Sequence, residues 1–392
     1  GYTTSTNSSG AYSFINITQP ASNTPIAVWM NNDGGGNGYG ATVTRYTSST
    51  INNLDIYRNR LIVRHEDSGP ITNYDIGACA KNAGSACSDS DLHFSTSSVA
   101  NLTLDYGWGL YIWGGDTYAP SGTITLVSAT SSVNAGGDIK FASSTSILNL
   151  GTYALTLGGD FLNSIGGTLT LLSGQTTTFN ATTTGYQIYP GSQSFQNLTF
   201  NGTGGSWILG SDITVSGDLS LSAGTLDASS TGNFGITLAG NWLNSGGAFT
   251  PRSGTVTLNG TNQSVSSTNT FYNFTKTVTA SSSLTFASNT TQTINNTLTL
   301  QGVVGNNRLA VQSDQSGQRW IINPRGSILV SYLNVKDSNN IGSLIFCDNG
   351  CRDLGNNNNW IFTGGGGGGS ESGGGGGRQS GGGGAGGGSG GE

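Results

Sequence analysis

Chemistry needs clustered titratable side chains, and one stretch of this chain concentrates them. The run Arg58-Asn59-Arg60-Leu61-Ile62-Val63-Arg64-His65-Glu66-Asp67 holds one of only two histidines in 392 residues. A histidine beside carboxylates could do general acid–base work once a partner shifts its pKa. Neighbours on a strand point to opposite faces, however, so His65, Glu66 and Asp67 are expected to form a solvated, internally paired strand end. A second candidate is Ser88-Asp89-Ser90-Asp91-Leu92-His93. Asp89 and Asp91 alternate on a loop and could give oxygens to calcium, but the further carboxylates and turn glycine of an EF-hand are missing. They stay weak candidates, and no other metal and no cofactor is expected.

Aromatic rings give a third possibility. Tyr106, Trp108, Tyr111, Trp113 and Tyr118 fall close together, and such flat faces stack on sugars. The competing expectation is that they cover a first coil where it meets the N-terminal region. Four cysteines form two close pairs, Cys79 with Cys87 and Cys347 with Cys351. Neither pair has zinc-site spacing or histidine partners, so two local disulfides in an oxidising compartment are expected.

Composition sets limits on function. Charged residues make up 9% of the chain and the net charge is −6. With so few cations, a nucleic-acid binder working through Lys and Arg is excluded. No apolar run approaches the ~20 residues of a membrane-spanning helix.

The elements that must position any site read as short strands. Between 122 and 345, runs such as Thr123-Ile124-Thr125-Leu126, Thr168-Leu169-Thr170-Leu171 and Thr255-Val256-Thr257-Leu258 alternate with period two. Gly, Asn and Asp bound them, as turns require. The stretch also repeats. Leu155-Thr156-Leu157-Gly158-Gly159-Asp160-Phe161-Leu162-Asn163-Ser164 returns as Ile236-Thr237-Leu238-Ala239-Gly240-Asn241-Trp242-Leu243-Asn244-Ser245, an offset of 81. Gly137-Asp138-Ile139-Lys140-Phe141 returns as Gly217-Asp218-Leu219-Ser220-Leu221, an offset of 80, and Ser194–Phe200 returns as Thr270–Lys276, an offset of 76. A short-strand repeat cannot bury its apolar side alone, so copies stack into a solenoid with one shared core. A right-handed parallel β-helix is expected, each repeat holding three or four coils. A row of small sandwiches is the runner-up.

Asp138, Asp160 and Asp218 recur at equivalent turn positions, and Asp160 becomes Asn241 in the next copy. A residue that tolerates this exchange reads as a turn former, so no catalytic residue is assigned. Thr-x-Thr alternation could suit ice, but the insertions between copies argue against a regular array.

Four regions follow: a partial β-sandwich-like element over 1–60, a connecting β region over 61–121, the solenoid with its cap over 122–363, and a Gly-rich tether over 364–392. Gly10-Ala11-Tyr12-Ser13-Phe14-Ile15-Asn16-Ile17 reads as a closing strand lacking its partners, which suggests a processed product or an excerpt. Twenty of the 65 glycines lie between Gly364 and Gly391, a composition that cannot bury apolar surface.

Gly254-Thr255-Val256-Thr257-Leu258-Asn259-Gly260, then Phe271-Tyr272-Asn273-Phe274-Thr275 and Thr297-Leu298-Thr299-Leu300, resembles the repeat of large bacterial surface proteins of the adhesin-like parallel β-helix kind. Val335-Lys336-Asp337-Ser338-Asn339-Asn340 with Gly355-Asn356-Asn357-Asn358-Asn359-Trp360 is similar to the segment that closes such arrays. The resemblance covers about 120–363. It implies secretion and a non-catalytic stalk, adhesive rod or filament subunit, partnered by surface glycans or by other copies of itself. A carbohydrate-binding module and a polysaccharide lyase or glycoside hydrolase are the alternatives.

Overall fold

The computed structural model describes residues 2–31, 39–80, 89–97, 100–128, 136–305 and 307–363. Apart from one short helix, Asn73–Gly77, closed by a reciprocal Thr72–Asp75 capping box, its elements are strands. Nearly all strand pairs are parallel, and partners lie one coil apart. Leu155 pairs with Thr177, Leu198 is level with Thr177, Leu219 with Leu198, and Trp242 with Leu219. Those steps are 21 to 23 residues long. The chain is therefore a parallel β-solenoid.

Each coil crosses three faces in order. Face A carries Arg60–Val63, Gly109–Ile112, Ile139–Phe141 and Phe161–Leu162 in one ladder. Face B begins with Thr117–Tyr118, Ile147–Gly151 and Thr168–Leu171, and a second ladder continues it through Ile213–Val215, Ile236–Leu238 and Thr255–Leu258. Face C stacks Leu102–Leu104, Ile124–Leu126, Leu155–Leu157 and Thr176–Phe179. Alternation does the sorting: in Leu155-Thr156-Leu157 and Ile236-Thr237-Leu238 the outer two side chains are buried and the threonine is not.

The duplicated sequence does not return to the same face. Leu155–Leu157 lies on face C and its copy Ile236–Leu238 on face B, while Ile139–Phe141 on face A has its copy at 219–221 on face C. One repeat thus winds three turns and two further faces. Because every face makes the same demand, an apolar-polar-apolar triplet beside a tight corner, a motif fits whichever face it reaches.

The interior is one cluster running from Ala41 to Trp360. Aromatic rings stack along it: Phe141, Phe161 and Phe195 at 6.0 and 5.3 Å, then Trp242, Phe271 and Phe274 at 5.2 and 4.8 Å. At the far end Phe286 stacks on Trp320 at 4.4 Å, and Trp360 on Phe362 at 6.0 Å.

The expected boundaries at 60 and 121 do not interrupt the sheet. Leu61 pairs with Ala41 before the first and with Leu110 after it, and Leu110 pairs with Ile139 across the second. The N-terminal strands Pro25–Trp29 and Ala41–Arg45 form an antiparallel pair whose second member is the first rung. The Gly10–Ile17 stretch, expected as a strand, joins no ladder, because alternation makes a strand only where another edge is within reach. Residues 364–392 lie outside the described ones.

Candidate functional site

The N-terminal coils gather most of the chemistry the sequence singled out. Arg64 sits just past Arg60–Val63, where the chain leaves face A, and its guanidinium meets Glu66 at 2.8 Å. Arg45, one rung earlier, meets Asp67 at 3.0 Å. His65 is tucked under this turn. Its Nε2 accepts the backbone N–H of Thr117 at 2.9 Å, so the neutral ring carries its proton on Nδ1. That nitrogen lies 3.6 Å from Asp116 and 3.9 Å from Asp67, both beyond hydrogen-bond range. Burial raises the Asp116 carboxyl above the ordinary carboxylate range, and the nearby His65 opposes the shift. His65 and Asp67, two positions apart and so on the same side of the chain, do approach, while Glu66 between them turns to Arg64. The nearer carboxylate, Asp116, comes from half a hundred positions away, and no local pattern announced it. The group works as a clasp tying three successive coils together.

His93 makes a second packed cluster. Its Nδ1 is 2.9 Å from Asp105, and the rings of Tyr39, Tyr106 and Trp108 surround it at 4.6, 4.5 and 5.4 Å. This placement divides the five predicted sugar-stacking aromatics. Trp108 and Tyr118 are core residues at 1% and 0% exposure, which corrects their assignment to a binding surface. Tyr118 donates its hydroxyl hydrogen bond to Asn73, and burial pushes its pKa well up. Tyr106 is exposed but lies against His93. Tyr111 and Trp113 stay at the surface of face A, joined by a ring the sequence reading missed. Tyr57 approaches Tyr111 at 5.2 Å and Trp113 at 6.3 Å, with Arg64 over the Trp113 ring at 5.9 Å and Lys140 over Tyr111 at 5.8 Å.

The calcium candidates are employed locally. Asp89 accepts the N–H of Asp91 at 2.8 Å, closing a turn, and Asp91 is buried. Among the described residues no three His, Cys, Asp or Glu side chains converge as metal ligands. Cys347 and Cys351 form a disulfide. Cys79 is buried, and Cys87, its expected partner, lies outside the described residues.

The recurring acids act on the backbone. Asp138 accepts the N–H of Asp160 at 2.8 Å, Asp160 that of Gln187 at 2.6 Å, and Asp218 that of Asn241 at 2.7 Å. Asn241 does the same for Ser264 at 2.8 Å, so an amide serves as well as a carboxylate. Each closes a corner between coils. Burial drives Asp138 up to about 7, with the backbone bond to Asp160 opposing and Asp160 reinforcing the shift. Its other oxygen is 3.7 Å from Arg60.

A further titratable group was not anticipated. Lys276 points into the core between Phe274 and Val278, fully buried. Its Nζ donates to the Gly260 carbonyl at 2.8 Å and to Gln263 Oε1 at 2.7 Å, and burial lowers its pKa to about 8. Asn269, Gln292 and the Trp242 indole N–H continue this internal polar seam. Strict period two does place Lys276 inward, but charge normally overrides that pattern.

The chain matches no protein-family model, no curated protein and no solved structure. No helix among the described residues is long and apolar enough to cross a membrane.

Proposed function

We propose that this chain is an extracellular, non-catalytic structural segment of a bacterial surface protein, serving as a stalk, adhesive rod or filament subunit, wound right-handedly. The supporting observation is the sheet that runs from Ala41 to Asp353 over a single core. Pulled along its axis, such a molecule loads hydrogen bonds coil by coil and stays stiff. Few Lys or Arg interrupt it, since the whole chain holds 14, so trypsin-like proteases meet few sites. The corner carboxylates support a non-catalytic reading because backbone N–H groups already occupy them. Force spectroscopy on the full chain, held by its two ends, tests the proposal. Stepwise release of coils at high force supports it; collapse at low force in a few large, equal steps, as separate globules give, refutes it.

A second reading rests on the Tyr57, Tyr111 and Trp113 cluster, whose rings with Arg64 and Lys140 could hold a surface glycan. Glycan-array signal lost in Trp113→Ala and Tyr57→Ala would favour it. An empty array would leave the cluster as packing between the 50–58 segment and face A.

A further inference from the structure

Threonines stack in register along face B. Thr214 pairs with Thr237, Thr237 with Thr257, Thr257 with Thr275, and Thr275 with Thr299, one per coil without interruption. All five lie on the outer side of strands whose neighbouring residues are buried. A parallel column flanks them, Thr255, Asn273 and Thr297, two residues earlier on the same strands. The insertions that seemed to break the pattern lie outside the threonine column, and the one register shift on these strands, between Phe271 and Asn273, falls before Thr275. The only charged side chain in these five strands, Lys276, turns inward to Gln263 and the Gly260 carbonyl; Asp212, two residues before Thr214, borders the first rung and accepts the Gly235 N–H at 2.7 Å.

The spacing determines what such a face can hold. Stacked coils put equivalent hydroxyls about 4.8 Å apart, and the two-residue step along a strand is about 6.7 Å. Hydroxyls that far apart cannot bond to each other, since an O–H···O bond spans about 2.75 Å. Two oxygens bonded to one shared tetrahedral water, however, lie about 4.5 Å apart, as follows from the same bond length. The column therefore offers nearly the second-neighbour spacing of tetrahedrally bonded water, repeated coil after coil on a rigid sheet. Among the described residues no protein group engages the five hydroxyls of the central column, whereas Thr255 and Thr297 accept from Asn273 and Asn296 at 3.2 Å each.

We infer that face B between Thr214 and Thr299 is an ice-binding surface, whose hydroxyl and methyl groups anchor an ordered water layer that merges with a growing crystal. Face C has its own threonine column, from Thr103 to Thr199, but Asp105 and Asp218 border both its ends and its flanking column is only Thr176 and Asn197, with Ala154 two residues before Thr156 in the coil before.

Thermal hysteresis and ice-recrystallisation assays on the full chain test this, with circular dichroism melts to confirm folding. The wild type should open a hysteresis gap and keep ice grains small. Thr257→Lys and Thr275→Lys should lose most of both effects, and Thr178→Lys on face C should keep them. Thr237→Lys gives the same readout should either central variant fail to fold. Absence of any effect in the wild type overturns the inference. So does equal loss in Thr178→Lys, or co-sedimentation with crystalline cellulose while ice growth is unchanged, which would make the face a polysaccharide surface instead.

Discussion

Asp138 and Asp160 occupy the same corner one coil apart, and the Oδ1 of Asp138 receives the backbone N–H of Asp160 at 2.8 Å. Two acids in succession on a ladder are an awkward solution to a corner that Asn241 manages without charge. Asp138 titrates at about 7 in the folded protein because burial disfavours its anion, whereas an unfolded chain releases that proton near pH 4. Between those values the folded state holds the extra proton. Stability should therefore fall as pH rises from about 4 to 7 by on the order of 4 kcal/mol from this group. Asp138→Asn should abolish that part of the slope and raise the melting temperature above pH 7. Urea melts at pH 5 and 8 measure it; an unchanged slope in the variant would refute the assignment.

Lys276 has the opposite sign. Its folded pKa of about 8 lies below that of a free lysine, so the unfolded state binds the extra proton between about pH 8 and 10.5. Stability should rise across that window by on the order of 3 kcal/mol. Lys276→Met should flatten the rise, although unpairing Gln263 and Gly260 costs about 1–3 kcal/mol. Chemical denaturation across the window distinguishes the two curves.

Trp242 fills the core between Phe249 at 5.0 Å and Phe271 at 5.2 Å, and its indole N–H bonds Asn269 at 3.0 Å. Trp242→Ala should cost about 3–5 kcal/mol. In a solenoid each coil depends mainly on its neighbours, so the damage should stay local. Hydrogen exchange should accelerate around 219–286 and remain slow around 102–157.

The Cys347–Cys351 bridge closes a very short loop in the last coils, where Cys351 Sγ also accepts the Leu333 N–H at 3.4 Å. Closing so short a loop stabilises by about 2 kcal/mol. Cys347→Ser with Cys351→Ser should loosen exchange over 333–361 and leave the first coils as protected as before.

Much of this architecture could be read before any coordinates. Leu155-Thr156-Leu157 states its strand and its buried side in three letters, and the Gly-Asp and Gly-Asn corners state the turns. The place of each copy was not legible, because 80-odd residues do not make a whole number of coils and periodicity carries no information about face. The insertions in the Thr-x-Thr pattern looked disruptive for the same reason: loop length at a corner is invisible to the ladder. Long-range partners also escaped. Nothing near His65 points to Asp116, and Trp108 and Tyr118 look like surface aromatics until the first coils close over them. Gly10–Ile17 errs the other way, with the pattern of a strand and no edge to join.

Small-angle X-ray scattering on the full chain in dilute solution tests the central claim most directly. A single uninterrupted stack requires one rod on the order of 60 Å long, with a constant cross-section set by three sheets around one core. A distance distribution with one narrow cross-sectional peak and a long linear decline is the predicted result. Several separated maxima, as beads on a string would give, would contradict it.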